Sequence, residues 1–189
     1  MRCARPLMFA AAAALLAGCG NRHLVVKVNV LSYLDPNLTQ VAFGPVPAIP
    51  GGIYTGEQEI IKDTEVNLVD GTNSVAEVKN VSIAMTAITS DSTGTGADTL
   101  RLYLSDPGTN PLATPPALVM PLVLWPGSTD TVHVDLGTDS RVASLFTGKR
   151  MRVTLTTALR GPVSGQELNA HVRVSAIDAV LVAGRKAAL

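Results

Sequence analysis

The order of apolar and polar residues follows period two along most of the chain and almost never period 3.6. Leu24, Val26, Val28 and Val30 alternate with Lys27 and Asn29. That pattern puts one row of side chains on each face of a strand. Residues 59–69 give a second strand with Val66 and Leu68 as its clearest apolar beats, and 75–88 a third with Val81, Ile83 and Met85 on one face. Leu100, Leu102 and Leu104 alternate with Arg101 and Tyr103 in a fourth. The apolar run 118–125 is a fifth, and its Pro121 restricts it to a sheet edge or a bulge. Val132, Val134 and Leu136 mark a sixth, and Met151, Val153 and Leu155 a seventh. The last run, 166–182, alternates through Leu168, Ala170, Val172 and Val174 and then loses phase near Ala176–Ile177, as a bulge would make it do.

Punctuation between these runs separates two kinds of connection. Asp70–Gly71 and the polar stretch 90–98 are turn signals. Residues 35–56 and 106–117 are longer and proline-rich, and both are expected as loops. One short helix is expected near 140–147, with Asp139 or Ser140 as its N-cap and Gly148 after its end. About eight strands with one apolar face each predict an all-β fold, an antiparallel β-sandwich of immunoglobulin-like architecture. The Cys…Trp…Cys core of true immunoglobulin domains is missing, so no particular topology follows. A closed barrel is the alternative. A transmembrane barrel would need aromatic girdles. Beyond residue 18 the aromatics are Tyr33, Phe43, Tyr54, Tyr103, Trp125 and Phe146, too few to build them.

The first nineteen residues depart from this pattern. Arg2 and Arg5 precede an uncharged apolar run from Leu7 to Ala17. Eleven residues are too few for a helix that spans a bilayer, which needs about 20, but they suit the hydrophobic region of a secretory signal. The run ends in Leu16-Ala17-Gly18-Cys19. Charge, run length and this tetrapeptide, in this order, resemble the signal and lipobox of bacterial lipoproteins. The resemblance covers residues 1–19 only. It implies removal of a signal peptide 1–18 and attachment of palmitate-type acyl chains at Cys19. Residues 19–23 then form a lipidated N-terminus and tether, 24–185 a single sandwich domain, and 186–189 a tail. The resemblance further implies a partner, the membrane reached through that lipid, and a bacterial envelope location. Gly20, standing where an Asp would favour inner-membrane retention, favours the outer membrane.

Composition changes once that signal is gone. The 15 basic residues fall to 13 with Arg2 and Arg5 removed, against 15 acidic ones, a net charge of −2. No basic footprint for nucleic acid exists. Cys3 leaves with the signal and the Cys19 sulfur is occupied, so neither disulfide nor thiol chemistry is expected.

Candidate chemistry is sparse. His133 and His171 fall on polar strand faces without metal-ligand spacing, and His23 falls in the tether. Ser164, in Gly161-Pro162-Val163-Ser164-Gly165, sits in what reads as a hairpin turn and lacks the G-x-S-x-G elbow. Asp91, Asp98 and Asp106 flank loops at strand ends and are candidates for a calcium site, although their spacing matches no compact calcium loop. No cofactor is expected. Arg150, Arg152 and Arg173, with Arg101 and Lys149, are candidates for a basic recognition patch toward envelope phosphates or carboxylates. Tyr54 and Trp125 are candidate aromatic anchors beside the long loops. The sequence therefore points to a non-enzymatic binding or structural module of the cell envelope, possessing no catalytic motif. An envelope hydrolase with a site built from scattered carboxylates, or an accessory subunit of an envelope assembly, are the alternatives.

Overall fold

A computed structural model describes residues 23–34, 39–67, 75–91, 96–123, 128–137, 140–148, 150–163 and 167–185. Nine strands and one α-helix follow in chain order. They are β1 (His23–Asn29), β2 (Gln40–Val46), β3 (Ile53–Asn67), β4 (Val75–Asp91), β5 (Ala97–Ser105), β6 (Leu118–Val123), β7 (Ser128–Gly137), α1 (Ser140–Thr147), β8 (Arg150–Pro162) and β9 (Leu168–Arg185). Two antiparallel sheets result. One has the order β1–β9–β4–β7, with β2 also on the free edge of β9, and the other has the order β3–β8–β5–β6.

The pairing is nested. β1 and β2 pair with β9, β3 with β8, β4 with β7, and β5 with β6. The chain is thus one long double ribbon with its tip at β5–β6. Two further ladders, β4 with β9 and β5 with β8, wrap the ribbon into two sheets. This is the strand order of a jelly roll, the double Greek-key form of the sandwich. Alternation alone could not specify it, because the period of a strand is blind to which strand lies beside it.

The core lies between the sheets. Ile83, Met85 and Ala87 of β4 and Ile177, Ala179 and Leu181 of β9 face Leu100, Leu102 and Leu104 of β5 and Met151, Val153 and Leu155 of β8, all of them buried. α1 packs against β4, β5 and β8 and contributes Val142, Leu145 and Phe146.

Several expectations need correction or gain detail. Within the expected loop 35–56 lies β2, and β3 begins at Ile53 rather than near 59. Pro45 hides β2 from a pattern reading, yet it is tolerated because β2 lies on a sheet edge. Gly44 has φ +106, and a Cβ there would fall 2.3 Å from the Leu168 carbonyl oxygen. His23 is the first residue of β1, paired with Gly184, rather than part of a tether. Gly161 and Pro162 end β8, and the segment after them leads to β9 in the other sheet, so it is a crossover and not a hairpin. Pro121 does lie on an edge strand. The phase change in β9 is a bulge. Thr86 faces Ala176 and Ala87 faces Val174, which leaves Ser175 as the extra residue.

Candidate functional site

The strand registers settle which candidate residues meet. His133 stands opposite Ala84 and His171 opposite Ser90. Six residues of β4 separate them, roughly 20 Å at about 3.3 Å per residue. The two histidines therefore share the outer face of one sheet without forming a pair. Asp98 lies near the start of β5 and Asp106 just past its end, so the strand holds them apart. Asp91 is the last residue of β4. No group of three or more His, Cys, Asp or Glu side chains gathers among the described residues. Cys19, Trp125, Asp139, Lys149 and Ser164 lie outside the described residues.

The arginines fall on two different sheets. Arg173 is exposed on the outer face of β9, opposite Ile88. Arg101, Arg150 and Arg152 lie on the outer face of the other sheet. There β3 supplies carboxylates among them. Arg150 Nη1 donates to Glu65 Oε1 at 3.2 Å, and Arg152 Nη2 pairs with Asp63 Oδ2. Glu59 stands beside Thr156, whose other neighbour is Arg101. Charges of both signs thus alternate across the sheet, and β3 carries them along an edge, where they discourage pairing with another chain. Asp63 has φ +41 at the irregular part of β3, and its amide donates to Thr154 Oγ1 at 3.1 Å. The Arg152 pair and this hydrogen bond hold the bend against β8.

Tyr54 is half-buried between the sheets. Its ring meets Phe43 edge-on, with centroids 6.4 Å apart and planes at 68°. Its hydroxyl lies over Gly56, where a Cβ would come within 2.3 Å of it. Gly56 supplies the space that lets the ring fold back on its own strand.

Among the described residues, Asp98 is the carboxylate that burial perturbs. It shares the inward face of β5 with Leu100, Leu102 and Leu104, and it is 2% exposed. The Thr157 hydroxyl donates to Oδ2 at 2.6 Å and the Thr99 amide to Oδ1 at 2.7 Å. Burial pushes its carboxyl above the ordinary aspartate value. The hydroxyl of Thr157, the amides of Thr99 and Ala158, and the charge of Arg101 pull it the other way. The spacing of apolar residues could have flagged this position, since Asp98 continues the inward series of the three leucines. With Oδ1 held by the Thr99 amide of its own strand and Oδ2 by Thr157 of β8, the carboxylate ties β5 to β8 near one end of the sandwich.

The connecting segments divide between the two ends of the sandwich. At one end lie the start of β1, the segment 106–117 and α1. At the other lies the segment 47–52, held by Ile49 N–H to Val163 O and by Val163 N–H to Gly52 O. The segments 47–52 and 106–117, which belong to the two proline-rich stretches expected as loops, therefore lie at opposite ends.

No protein-family model matches the chain, and no curated protein matches it. Among solved structures, it is similar to dimeric latent PorU from Porphyromonas gingivalis, at 9% identity and a TM-score of 0.38, over 93% of this chain and 14% of that one. It is also similar to the VP2 subviral particle of infectious bursal disease virus, at 8% identity and a TM-score of 0.32, over 96% of this chain and 42% of that one. A third similarity is to the Gx strain of the same virus, at 8% identity and a TM-score of 0.32, over 93% and 42%. The chain thus spans less than half the length of each. None of these likenesses is close enough to transfer a role.

Proposed function

We propose that this chain is a lipid-anchored protein of the bacterial cell envelope whose β-sandwich works as a non-enzymatic binding or structural module. The observation that carries the reading is the order of features at the N-terminus: Arg2 and Arg5, the apolar run Leu7 to Ala17, then Leu16-Ala17-Gly18-Cys19. Two acyl chains at Cys19 supply stable anchoring, at about 0.8 kcal/mol for each buried CH₂, where one chain is marginal. The sandwich begins at His23, directly after that site, so no further domain intervenes between lipid and fold. The module reading is supported by the engaged state of the buried carboxylate: Asp98 is committed to Thr157 and Thr99 rather than to an open cleft.

Cys19→Ser tests the anchor. The variant is expected to lose incorporation of labelled fatty acid and to move from the membrane to the soluble fraction. A variant that stays labelled and membrane-bound overturns the reading.

A further inference from the structure

The register of β1 determines which end of the sandwich the N-terminus leaves from. His23 pairs with Gly184, close to the end of β9. Arg185 pairs with Val75 at the start of β4, and Asn67 at the end of β3 pairs with Arg150 at the start of β8. Ser105 at the end of β5 pairs with Arg152, so the segment 106–117 projects from this same end. Its short 3-10 turn, Pro111–Ala113, is fixed by Asn110, whose side chain accepts the Leu112 amide at 3.0 Å. The turn presents Leu112 outward, 45% exposed. Ile49, 56% exposed, marks the opposite end. β8 runs between the two ends for 13 residues, about 40 Å at roughly 3.3 Å per residue.

Three residues, 20–22, separate Cys19 from His23. A chain extends at most about 3.6 Å per residue whatever its conformation, so the two Cα atoms lie within about 14 Å of each other. That reach is much shorter than the sandwich. We propose that the end carrying Leu112 and the start of β1 rests on the lipid headgroups, and that the end carrying Ile49 points away from the membrane. This rests on the lipidation of Cys19. The partner is a lipid surface: the headgroup boundary shelters an exposed apolar side chain such as Leu112 while leaving polar neighbours such as Asn110 and Thr109 wet. A short tether holds that end close even where each contact is weak, because the effective concentration of the surface is high.

The test uses the full mature, lipidated protein in vesicles of phosphatidylethanolamine and phosphatidylglycerol. A single environment-sensitive fluorophore is attached at Leu112→Cys or, in a second protein, at Ile49→Cys. Ala113→Cys and Ala48→Cys serve as second positions at the same two ends, all four residues being exposed. Vesicles then carry spin-labelled headgroups as a contact-range quencher. Quenching several-fold stronger at 112 and 113 than at 48 and 49 is the expected result. Equal quenching, as from a sandwich lying on its side, or the reverse order overturns the orientation. The mass of the N-terminal peptide is read from the same samples. A peptide without acyl chains overturns the lipid-anchor reading and the orientation with it, whereas an acylated peptide with the wrong depth order overturns the orientation alone.

Discussion

Asp98 is where a single residue has the clearest physical consequence. A carboxyl whose value is raised in the folded state binds more protons there than in the unfolded chain. Stability therefore falls as pH rises from the ordinary aspartate value through the raised one, and acidification across that window restores it. Asp98→Asn should flatten this slope in urea unfolding measured at several pH values, since the amide keeps two polar atoms and carries no charge. Asp98→Ala should cost about 1–3 kcal/mol, because the Thr157 hydroxyl, itself fully buried, loses its partner. A flat wild-type profile would remove burial as the dominant influence on this group. Tyr54 shows the other outcome at this scale. Its position near a proline-rich stretch fits a recognition residue or a core residue, and its ring is packed against Phe43. Sequence spacing cannot tell an exposed aromatic from one turned inward, since that depends on the strand opposite.

Among the elements, β2 is the one that pattern reading missed and tertiary pairing created. Its alternation is short and broken by Gly44-Pro45. It exists because the first half of β9 offers an open edge and because Phe43 reaches the core. Two glycines nearby separate conformational need from mere tolerance. Gly44→Ala meets both a positive φ and the Leu168 carbonyl and should cost more than about 1–3 kcal/mol, the range for backbone strain alone. Gly51→Ala has φ +69 but nothing within 4 Å, so its cost should stay near the about 1 kcal/mol of left-handed strain. Equal losses in thermal or urea unfolding would show that the close approach to Leu168 contributes nothing. Deeper in the fold, Leu102→Ala should cost about 2–5 kcal/mol, since it leaves a cavity between two sheets whose backbones are pinned by ladders on both sides. The bulge in β9 was visible earlier as lost phase because an extra residue inverts the alternation, and periodicity registers that inversion without any knowledge of the partner strand.

For the whole molecule, the nested ribbon makes the first and last strands neighbours. β1 covers the edge of β9 from Asp178 to Gly184. A chain truncated before His23 should keep the unfolding midpoint of the mature protein. One truncated before Val30 should unfold at lower temperature and self-associate in light scattering, because it exposes a long, largely apolar strand edge. Long-range pairing of this kind also requires loop closure before most contacts form, so slow folding is expected of the topology. Under the proposed lipidation, attachment at Cys19 would act on this same element, since β1 begins at His23.

Local chemistry was enough to determine the class of the fold, most strand positions, the restriction of Pro121 to an edge or a bulge, the helix at 140–147 and the resemblance of residues 1–19 to a lipoprotein signal. These features depend on side-chain period, on the missing proline N–H, or on a contiguous motif, and each is complete within a short window. Only the tertiary structure decided the jelly-roll order, the existence of β2, the separation of His133 from His171 and of the arginines onto two sheets, and the burial of Asp98. Those depend on which strand lies beside which. In a nested ribbon the partners are far apart in sequence, and a short window carries no information about them.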